Sequence, residues 1–434
     1  MTNINIEDVL GNTLNKGLNV LRGRYAIEQS IPIMLECLFL DLHSHEVRGL
    51  RKKILSQEAY ELLKTDKLLK DILNDVFKIL NNDDSKVFTD LMKSFEDKEY
   101  KKLFNHYKKS TIFELSMELL YKNSGFYYKT SHNLNKLIAR TIKNKKFKSL
   151  YDPTIGTGTL AIEAAYGHKG VKISGQEIYQ GSLNVCKMLL ILDDRIDDIN
   201  NIHLGNTITN PSHVKNDTIS KFDCIVCDPP MGLRDWGHSE VQEDKFNRFE
   251  RGLPPKAFAD YAFISHIVKS LDEKGMAVIV VSSGVLFRDG KEGVIRQSLI
   301  KENLVDCVIA LPNNMMHNTA LPVNLLILNK NKKTKDILFI DVAKNVESSR
   351  TLTILSEDII EKVGETYENY LEEEGFSKLI NISEIKSNKF NLSVNRYIIE
   401  IEEEESVDIS IIKEDISQLE KKLRDIQKEI KMYM

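Results

Sequence analysis

The segment YDPTIGTGTLAIEAA (151–165) decides the fold of this chain. It closes a β-type run, passes through a glycine turn and continues as a helix. Gly156 and Gly158 allow the backbone to approach a ligand at the helix N-terminus, and Asp152 ends the strand. Glu177 follows about 20 residues later at the end of the next β-type run, where an acid can accept hydrogen bonds from ribose hydroxyls. The pattern predicts a nucleoside cofactor at the carboxyl edge of an α/β sheet.

Outward from this segment, from about residue 147, short β-type runs alternate with helical runs. Such alternation predicts an α/β domain with a doubly wound, largely parallel, Rossmann-like sheet. The β-type runs are FKSLYD (147–152), VKISGQE (171–177), FDCIVCD (222–228), MAVIVVSS (276–283), LVDCVIAL (304–311) and VNLLILN (323–329), and the helical runs between them include TLAIEAAY, QGSLNVCKMLLIL, ADYAFISHIVKSL and EGVIRQSLIKE.

The remainder of the chain reads as helical. Apolar residues recur three and four apart in the first part, which predicts an all-α N-terminal domain over 1–120, followed by the catalytic domain over 121–345. We expect a helical, acidic C-terminal extension over 346–405 and a coiled-coil helix over 406–434. That helix is predicted from apolar residues spaced alternately four and three apart, namely Ile412, Ile416, Leu419, Leu423, Ile426, Ile430 and Tyr433. The seam needs a partner helix, in this chain or in another one.

Composition limits the class of protein. The chain has 434 residues, of which 42% are hydrophobic and 29% charged, a composition typical of a globular protein. Its net charge of −4 excludes a strongly basic nucleic-acid binder but not a local basic patch. The longest apolar run, IPIMLECLFL (31–40), is too short to span a bilayer, and the polar start predicts no secretory signal. We therefore expect a cytoplasmic protein with no membrane association.

The five cysteines do not indicate a metal site. Cys224 and Cys227 form a CxxC pair, but they lie in one β-type run, and no second CxxC or HxxxH follows. Residues three apart on a strand point to opposite faces of the sheet. The spacing therefore favours buried thiols over a zinc or redox site.

The glycine turn and its acid, taken alone, fit a nicotinamide dehydrogenase equally well. Two details favour S-adenosylmethionine: Ala161 replaces the third glycine of the dinucleotide pattern, and Asp152 precedes the turn, where it would repel a pyrophosphate. A cofactor with a cationic amino group and no phosphate suits this acidic entrance better. Asn206 in HLGNTI (203–208) is placed to hydrogen-bond the adenine ring, and an ordinary turn asparagine is the alternative.

The stretch CIVCDPPMG (224–232) drives a hydrophobic strand into an acid and two prolines. Proline stops the strand, so Asp228 is left at the carboxyl end, where open α/β sheets place their chemistry. The Asp228 carboxylate and the Pro229 carbonyl can accept both N–H bonds of an adenine amine and stabilise the charge that develops during methylation. An ordinary strand-ending loop is the alternative.

At this point the sequence resembles a known family, the modification (methyltransferase) subunits of type I restriction–modification systems, which are N6-adenine DNA methylases. Besides the two motifs above, the resemblance covers the chain nearly end to end. It is carried by GFYYKTSHNLNKLIARTI (125–142), SGQEIYQGSLNVCKMLLIL (174–192), FERGLPPKAFADYAFISHIVKSL (249–271), SSGVLFRDGKEGVIRQSLIKENLVDCVIALPNNMM (282–316), ISEIKSNKFNLSVNRYI (382–398) and, more loosely, LRGRYAIEQSIPIMLECLFL (21–40).

The resemblance implies methyl transfer from S-adenosylmethionine to N6 of an adenine flipped out of double-stranded DNA. It implies catalysis by the turn Asp228, Pro229, Pro230 and Met231. It implies as partners a separate specificity subunit, a second copy of this chain and a restriction/translocase subunit. The cofactor would be held by Phe126, Tyr127, Tyr128, Lys129, Thr130, Ser131, Asp152, Thr154, Gly156, Thr157, Gly158, Glu177 and Asn206.

The chain departs from the family pattern at a few positions. The family usually has Asn-Pro-Pro-Phe or Tyr where this chain has Asp228 and Met231, Thr-Pro where it has Lys129-Thr130, and an acid where it has Asn206. A thioether packs on a base more weakly than an aromatic ring does. Met231 and the missing Thr-Pro motivate one rival hypothesis, a catalytically weakened methylase-like scaffold in a DNA-defence complex. The second rival is an amino-methylase that acts on RNA or protein, since such enzymes also use an acid-Pro-Pro turn, and the GLPPKAFADYAF block argues against it.

Overall fold

The computed structural model describes residues 5–44, 63, 65–81, 85–121, 131–316, 321–346, 349, 352–398, 416–423 and 426–427. Contacts group the chain into two compact units, Met1–Ile398 and Ile399–Met434. The first unit carries the sheet, and the second carries the C-terminal helix.

The described part of the N-terminal region is helical, as predicted. Asn5 starts the first helix by accepting a hydrogen bond from the Glu7 amide at 3.2 Å, and the buried Glu36 carboxylate accepts from the Val76 amide at 2.7 Å at the start of a later helix. The last helix ends near the predicted boundary at 120. The helices are α1 (Ile6–Leu21), α2 (Ile27–Ser44), α3 (Lys67–Ile72), α4 (Asn74–Asn81), α5 (Ser85–Ser94), α6 (Lys98–Lys102) and α7 (Lys109–Tyr121).

The chain after this region contains both strands and helices. The strands are β1 (Ser149–Asp152), β2 (Lys172–Glu177), β3 (Ile202–Leu204), β4 (Val214–Lys215), β5 (Thr218–Ile219), β6 (Phe222–Cys227), β7 (Leu271–Ser282), β8 (Val305–Ala310), β9 (Val323–Asn329), β10 (Ile337–Asp341) and β11 (Ser377–Ile380). The helices are α8 (His132–Ile142), α9 (Thr159–Ala165), α10 (Gln180–Leu192), α11 (Asp260–Ser270), α12 (Ser283–Phe287), α13 (Lys291–Lys301), α14 (Glu357–Asn369) and α15 (Ile382–Ser387).

Nine of these strands form one sheet in the order β11-β10-β8-β9-β7-β6-β1-β2-β3, and β4 and β5 form a separate hairpin. Pairing is parallel except that β9 runs antiparallel to β7 and β8, and β11 antiparallel to β10. The predicted mixed α/β fold with a largely parallel sheet is confirmed. Strand order reverses between β1 and β6, so their carboxyl ends form the crevice where ligands bind in such sheets.

Both faces of β6 are buried, and successive residues alternate between them. Cys224 packs in the hydrophobic cluster on one face of the sheet, and Cys227 packs in the cluster on the other face. Both thiols are free and buried. The CxxC pair is therefore part of the core, and within the described ranges no group of three or more His, Cys, Asp or Glu side chains could hold a metal ion.

The region after residue 345 contains more than the predicted helices. In addition to α14 and α15, it contributes β11, which pairs antiparallel with β10 and extends the main sheet. The short edge sequence SKLI (377–380) has two polar residues followed by two apolar residues, so it shows no alternation that would predict a strand. The sheet thus continues beyond the boundary expected at 345.

In the C-terminal unit, residues 416–423 and 426–427 are helical. Ile416, Leu419, Leu423 and Ile426 are between 51% and 64% exposed. The other seam residues, Ile412, Ile430 and Tyr433, lie outside the described residues, so the coiled coil stays a prediction. Across the ranges that the structure describes, no helix combines the length and apolar character needed to cross a membrane.

Candidate active site

A cavity of about 470 Å³ opens at the carboxyl edge of the sheet, beside the ends of β1, β2 and β6 and the turn after β3. Its lining includes most of the described residues that the sequence predicts to bind cofactor or act in catalysis. They are Asp152, Thr154, Gly156, Thr157, Glu177, Asn206, Asp228, Pro229, Pro230 and Met231. Cofactor and catalytic candidates therefore share one site.

The glycine turn after β1 is held by hydrogen bonds within the turn itself. The Thr154 amide donates to Asp152 Oδ1 at 2.9 Å, and the Gly158 amide donates to the Ile155 carbonyl at 2.8 Å. Gly156 and Gly158 both have positive φ, +56° and +84°. Gly158 does not line the cavity but precedes α9, and a Cβ there would lie 2.7 Å from Cys186 Sγ. Glycine is therefore required for the turn to pack on α10.

Glu177 closes the side of this turn. Its Oε2 accepts from the Gly156 amide at 3.0 Å, and its Oε1 accepts from the Tyr179 amide at 2.8 Å. Burial raises the pKa of Glu177, while these amides favour the ionised form. Each carboxylate oxygen accepts more than one hydrogen bond, so ribose hydroxyls can still donate to the side chain.

Asp152 makes the cavity floor acidic. The side chain is 2% exposed, and burial raises its pKa to about 8, with repulsion from Asp228 and Glu177 adding to the effect and the Thr154 amide opposing it. A cation is attracted to these acidic groups and favours the ionised form of Asp152 when it binds, whereas a phosphate is repelled. The residues present therefore fit S-adenosylmethionine, whose sulfonium and amino groups are positive, better than a dinucleotide.

Asn206 follows β3. Its Oδ1 accepts from the Ile208 amide at 2.8 Å and the Thr209 amide at 3.2 Å, so the side chain closes a turn. Thr207 Oγ1 fixes the same turn to the Pro153 carbonyl at 2.5 Å. Asn206 therefore acts as a turn residue, which was the alternative interpretation. Its contact with adenine stays a prediction, and the side-chain amide nitrogen can still donate the hydrogen bond.

The Asp-Pro-Pro turn follows β6, which is paired with β1 so that Leu150 faces Cys224 and Tyr151 faces Ile225. The acids that end the two strands are thereby neighbours across the switch point. Thr154 Oγ1 donates to the Asp228 carbonyl at 3.4 Å and links the two turns. Met231 is half-buried against the hydrophobic core at the cavity wall.

The segment upstream of α8 is only partly described. Ser131 is buried and caps α8 by accepting from the Leu134 amide at 3.3 Å, and it does not line the cavity. Its predicted cofactor contact therefore stays a prediction. The neighbouring candidates Phe126, Tyr127, Tyr128, Lys129 and Thr130 lie outside the described residues.

Part of the cavity wall is not identified by the sequence motifs. Apolar side chains flank the acids and form a surface on which a base can pack: Ile208, Leu233, Trp236, Phe263 and Met316. Phe263 and Met316 lie inside blocks of family resemblance, which is the only signal that could have pointed to them. Trp236 lies in an irregular loop, where periodicity carries no information.

Comparison with known proteins identifies the family of this chain. A sequence model described as "N-6 DNA Methylase" matches residues 110–406. The type I restriction enzyme MjaVII methylase subunit of Methanocaldococcus jannaschii is 31% identical over 317 residues, which cover 69% of this chain and 54% of that protein. The MpnII methylase subunit of Mycoplasma pneumoniae is 31% identical over 323 residues, covering 71% and 59% respectively. The chain thus spans little more than half the length of these relatives.

The fold is also similar to that of a solved structure. The crystal structure of the type I restriction–modification system methyltransferase subunit from Streptococcus thermophilus superposes with a TM-score of 0.74 and 22% sequence identity. The superposition covers 91% of this chain and 99% of that one. At this identity the likeness concerns the fold, and it includes the helical region together with the sheet.

Proposed function

The chain belongs to the N-6 DNA methylase family, and we propose that it transfers a methyl group from S-adenosylmethionine to N6 of an adenine flipped out of double-stranded DNA. One observation carries the proposal. The Asp228-Pro229-Pro230 turn borders the same cavity as Asp152 and Glu177, and the three acids together suit a cationic cofactor. Bound there, S-adenosylmethionine supplies an activated methyl group.

The cofactor side of the site is built from β1, β2 and the turn after β3. Glu177 accepts hydrogen bonds from ribose hydroxyls, and Gly156 leaves room for close approach of the ligand. Asp152 and its acidic neighbours balance the positive charge. Family resemblance assigns the methionine end of the cofactor to residues 126–131.

The target side is the turn after β6. Asp228 and the Pro229 carbonyl accept the two N–H bonds of the adenine amine, whose lone pair is otherwise delocalised into the ring. This pulls the nitrogen toward tetrahedral geometry and stabilises the charge that develops on it. The prolines hold both acceptors at one place, and Met231 packs beside the base.

The test is radiolabelled methyl transfer to DNA, with and without a neighbouring specificity protein. We expect transfer that depends on a target sequence and on the specificity protein. A scaffold, the rival favoured by Met231 in place of an aromatic residue, would assemble with its partner and transfer nothing. Labelling of RNA or protein in place of DNA would establish the second rival, against which the family match speaks.

We also propose assembly with a separate specificity subunit, a second copy of this chain and a restriction/translocase subunit. Support comes from the relatives, which are methylase subunits of type I restriction enzymes, and from the net charge of −4, which suits DNA reading by another chain. The exposed seam residues Ile416, Leu419, Leu423 and Ile426 provide an apolar helix surface for such a partner.

Deletion of residues 406–434 tests this assembly role. The truncated chain should bind S-adenosylmethionine with unchanged affinity, because the cavity lies wholly within the first compact unit. It should no longer co-purify with the specificity subunit. Complex formation with unchanged affinity would show that the seam packs within its own chain.

A further inference from the structure

The segment that carries the target-side turn is unusually long and irregular. Between the end of β6 and the start of α11, residues 228–259 contain no helix or strand. Segments of this length without secondary structure are usually either functional or linkers. Local contacts stabilise part of this segment, since Trp236 Nε1 donates to the Pro255 carbonyl at 3.2 Å and the Ala259 amide donates to the Leu233 carbonyl at 3.0 Å.

Arg248 joins this segment to the cofactor cavity. Its side chain is 2% exposed, and its guanidinium is paired with Asp244 Oδ1 at 2.8 Å. Nη1 donates to the Thr207 carbonyl at 3.2 Å, and Nη2 donates to the Ile208 carbonyl at 2.7 Å. Thr207 and Ile208 both line the cavity. One buried cation therefore supports a wall of the cofactor site from behind.

The hydrogen-bonded network continues to β1. Arg248 Nη1 lies 3.4 Å from His266 Nδ1, and His266 Nε2 lies 3.1 Å from the Tyr151 hydroxyl. Burial, with repulsion from Arg248, lowers the pKa of His266 well below its usual value, so the imidazole is neutral. It accepts from Arg248 and donates to Tyr151, the residue before Asp152. The network thus connects the long segment, the turn after β3, α11 and β1.

We propose that Arg248 is a positioning residue that couples cofactor binding to the loop carrying Asp228 and Met231. This inference rests on the proposed function, because the coupling matters only if both ligands are used. The guanidinium binds two carbonyls of the cavity wall and the Asp244 carboxylate of the loop at the same time. A displacement of the cavity wall therefore displaces the loop, and a displacement of the loop displaces the wall. Such coupling is reciprocal in binding free energy.

The chain contains a built-in reporter for this loop. Trp236 is its single tryptophan, lies within residues 228–259 and lines the cavity. Its fluorescence follows the loop without any need for methyl transfer. Addition of S-adenosylmethionine to the wild-type chain should change the emission of Trp236. A wild type that binds the cofactor with no change in emission would overturn the coupling.

Arg248→Lys is the deciding variant. Lysine keeps the charge beside Asp244, but its single ammonium cannot replace the planar fork that reaches both carbonyls. We expect calorimetry to show about tenfold weaker S-adenosylmethionine binding, equivalent to about 1.4 kcal/mol, together with a reduced Trp236 response and a lower kcat for transfer. Arg248→Gln should have a larger effect, and if it fails to fold by circular dichroism, the lysine variant decides.

Arg251→Gln is the matched control, in the same segment. Arg251 pairs with Glu302 at 2.5 Å, away from the cavity lining, so cofactor affinity and Trp236 response should stay at wild-type values. A lowered melting temperature in Arg248→Lys with unchanged affinity, emission response and kcat would show a purely structural role. Cofactor binding without transfer by the wild type in the presence of its specificity protein would refute the proposed function, while the affinity and emission readouts would still decide the coupling.

Discussion

The neighbouring strands β1 and β6 both end in an acid, but the two ends are held in different ways. Asp152 is almost fully buried and accepts a backbone hydrogen bond from Thr154, two residues away. Asp228 is partly exposed and begins the irregular segment 228–259. That segment is tied to the cavity wall through Arg248 and carbonyls about 40 residues away in sequence.

Because the two strand ends are held differently, we expect them to differ in rigidity. The β1 end is preorganised by its own chain neighbours, as suits a cofactor that must be held in one orientation. The β6 end depends on distant contacts, so its geometry can respond to what occupies the cavity. Substitutions at the two ends should therefore affect different measured quantities.

The largest effect is expected at the β6 end. Asp228→Ala should lower kcat for methyl transfer on the order of 10²–10³-fold or more, because the developing charge on the amine loses its acceptor. Calorimetry should find S-adenosylmethionine affinity nearly unchanged. Asp228→Asn, which restores the residue usual in the family, is the matched control and should retain transfer. Full activity in the alanine variant would remove Asp228 from catalysis.

The next effect is expected beside the β1 end. Glu177→Ala removes the predicted ribose acceptor and the partner of the Gly156 amide, so cofactor binding should weaken by roughly 1–3 kcal/mol, about ten- to hundredfold. Glu177→Gln keeps one acceptor oxygen and should weaken binding less. Unchanged calorimetric affinity in the alanine variant would contradict the assignment.

A smaller effect is expected from pH. Burial and the nearby acids raise the pKa of Asp152 to about 8, so below that pH the carboxyl holds a proton in the free protein. A cationic ligand favours the ionised form, so S-adenosylmethionine affinity should rise with pH up to about 8, by at most about tenfold per pH unit, and binding should release a proton.

Calorimetry in buffers of different ionisation enthalpy measures that proton release. Asp152→Asn cannot ionise and should bind with a flatter pH profile, while any contribution from titration of the cofactor itself is common to both proteins. Identical slopes in the variant and the wild type would assign the pH dependence to another group.

The smallest effect is expected at Met231. A phenyl ring offers a larger face to a flipped base than a thioether does, so Met231→Phe should leave kcat/KM unchanged or raise it by up to about fivefold. Met231→Ala, which removes the contact, should lower it. A large loss in Met231→Phe would show that the cavity is shaped for methionine and has no room for a ring.

The strand–turn–helix arrangement that ends at Glu177 could be predicted from the sequence, and its contacts with a cofactor stay a prediction. Strand, glycine turn, helix and Glu177 follow one another along the chain, and their spacing is set by local backbone geometry. The CxxC pair was likewise predictable, because alternation on a strand places Cys224 and Cys227 on opposite faces. The resemblance to type I modification subunits was confirmed by the family match together with the type I methylase subunits among the relatives.

Other features could not be predicted in this way. The edge strand β11 is defined by its pairing with β10 and not by its own four residues. The apolar wall that includes Trp236 and Met316 is assembled from segments far apart in sequence. The partner of the C-terminal seam stays a prediction, because periodicity identifies an apolar face but not what covers it.

The sequence by itself determined the fold class, the order of the motifs and the two acids at the ends of β1 and β6, because each depends on hydrogen bonds and side-chain alternation between near neighbours. Only the tertiary structure decided that Asp152 and Asp228 share one cavity with Trp236 and Met316, and that Arg248 joins the long segment to the cavity wall. These contacts depend on the strand order and on residues about 40 positions apart in sequence. Such contacts form only after the intervening chain has been closed into a loop, so local sequence patterns do not predict them.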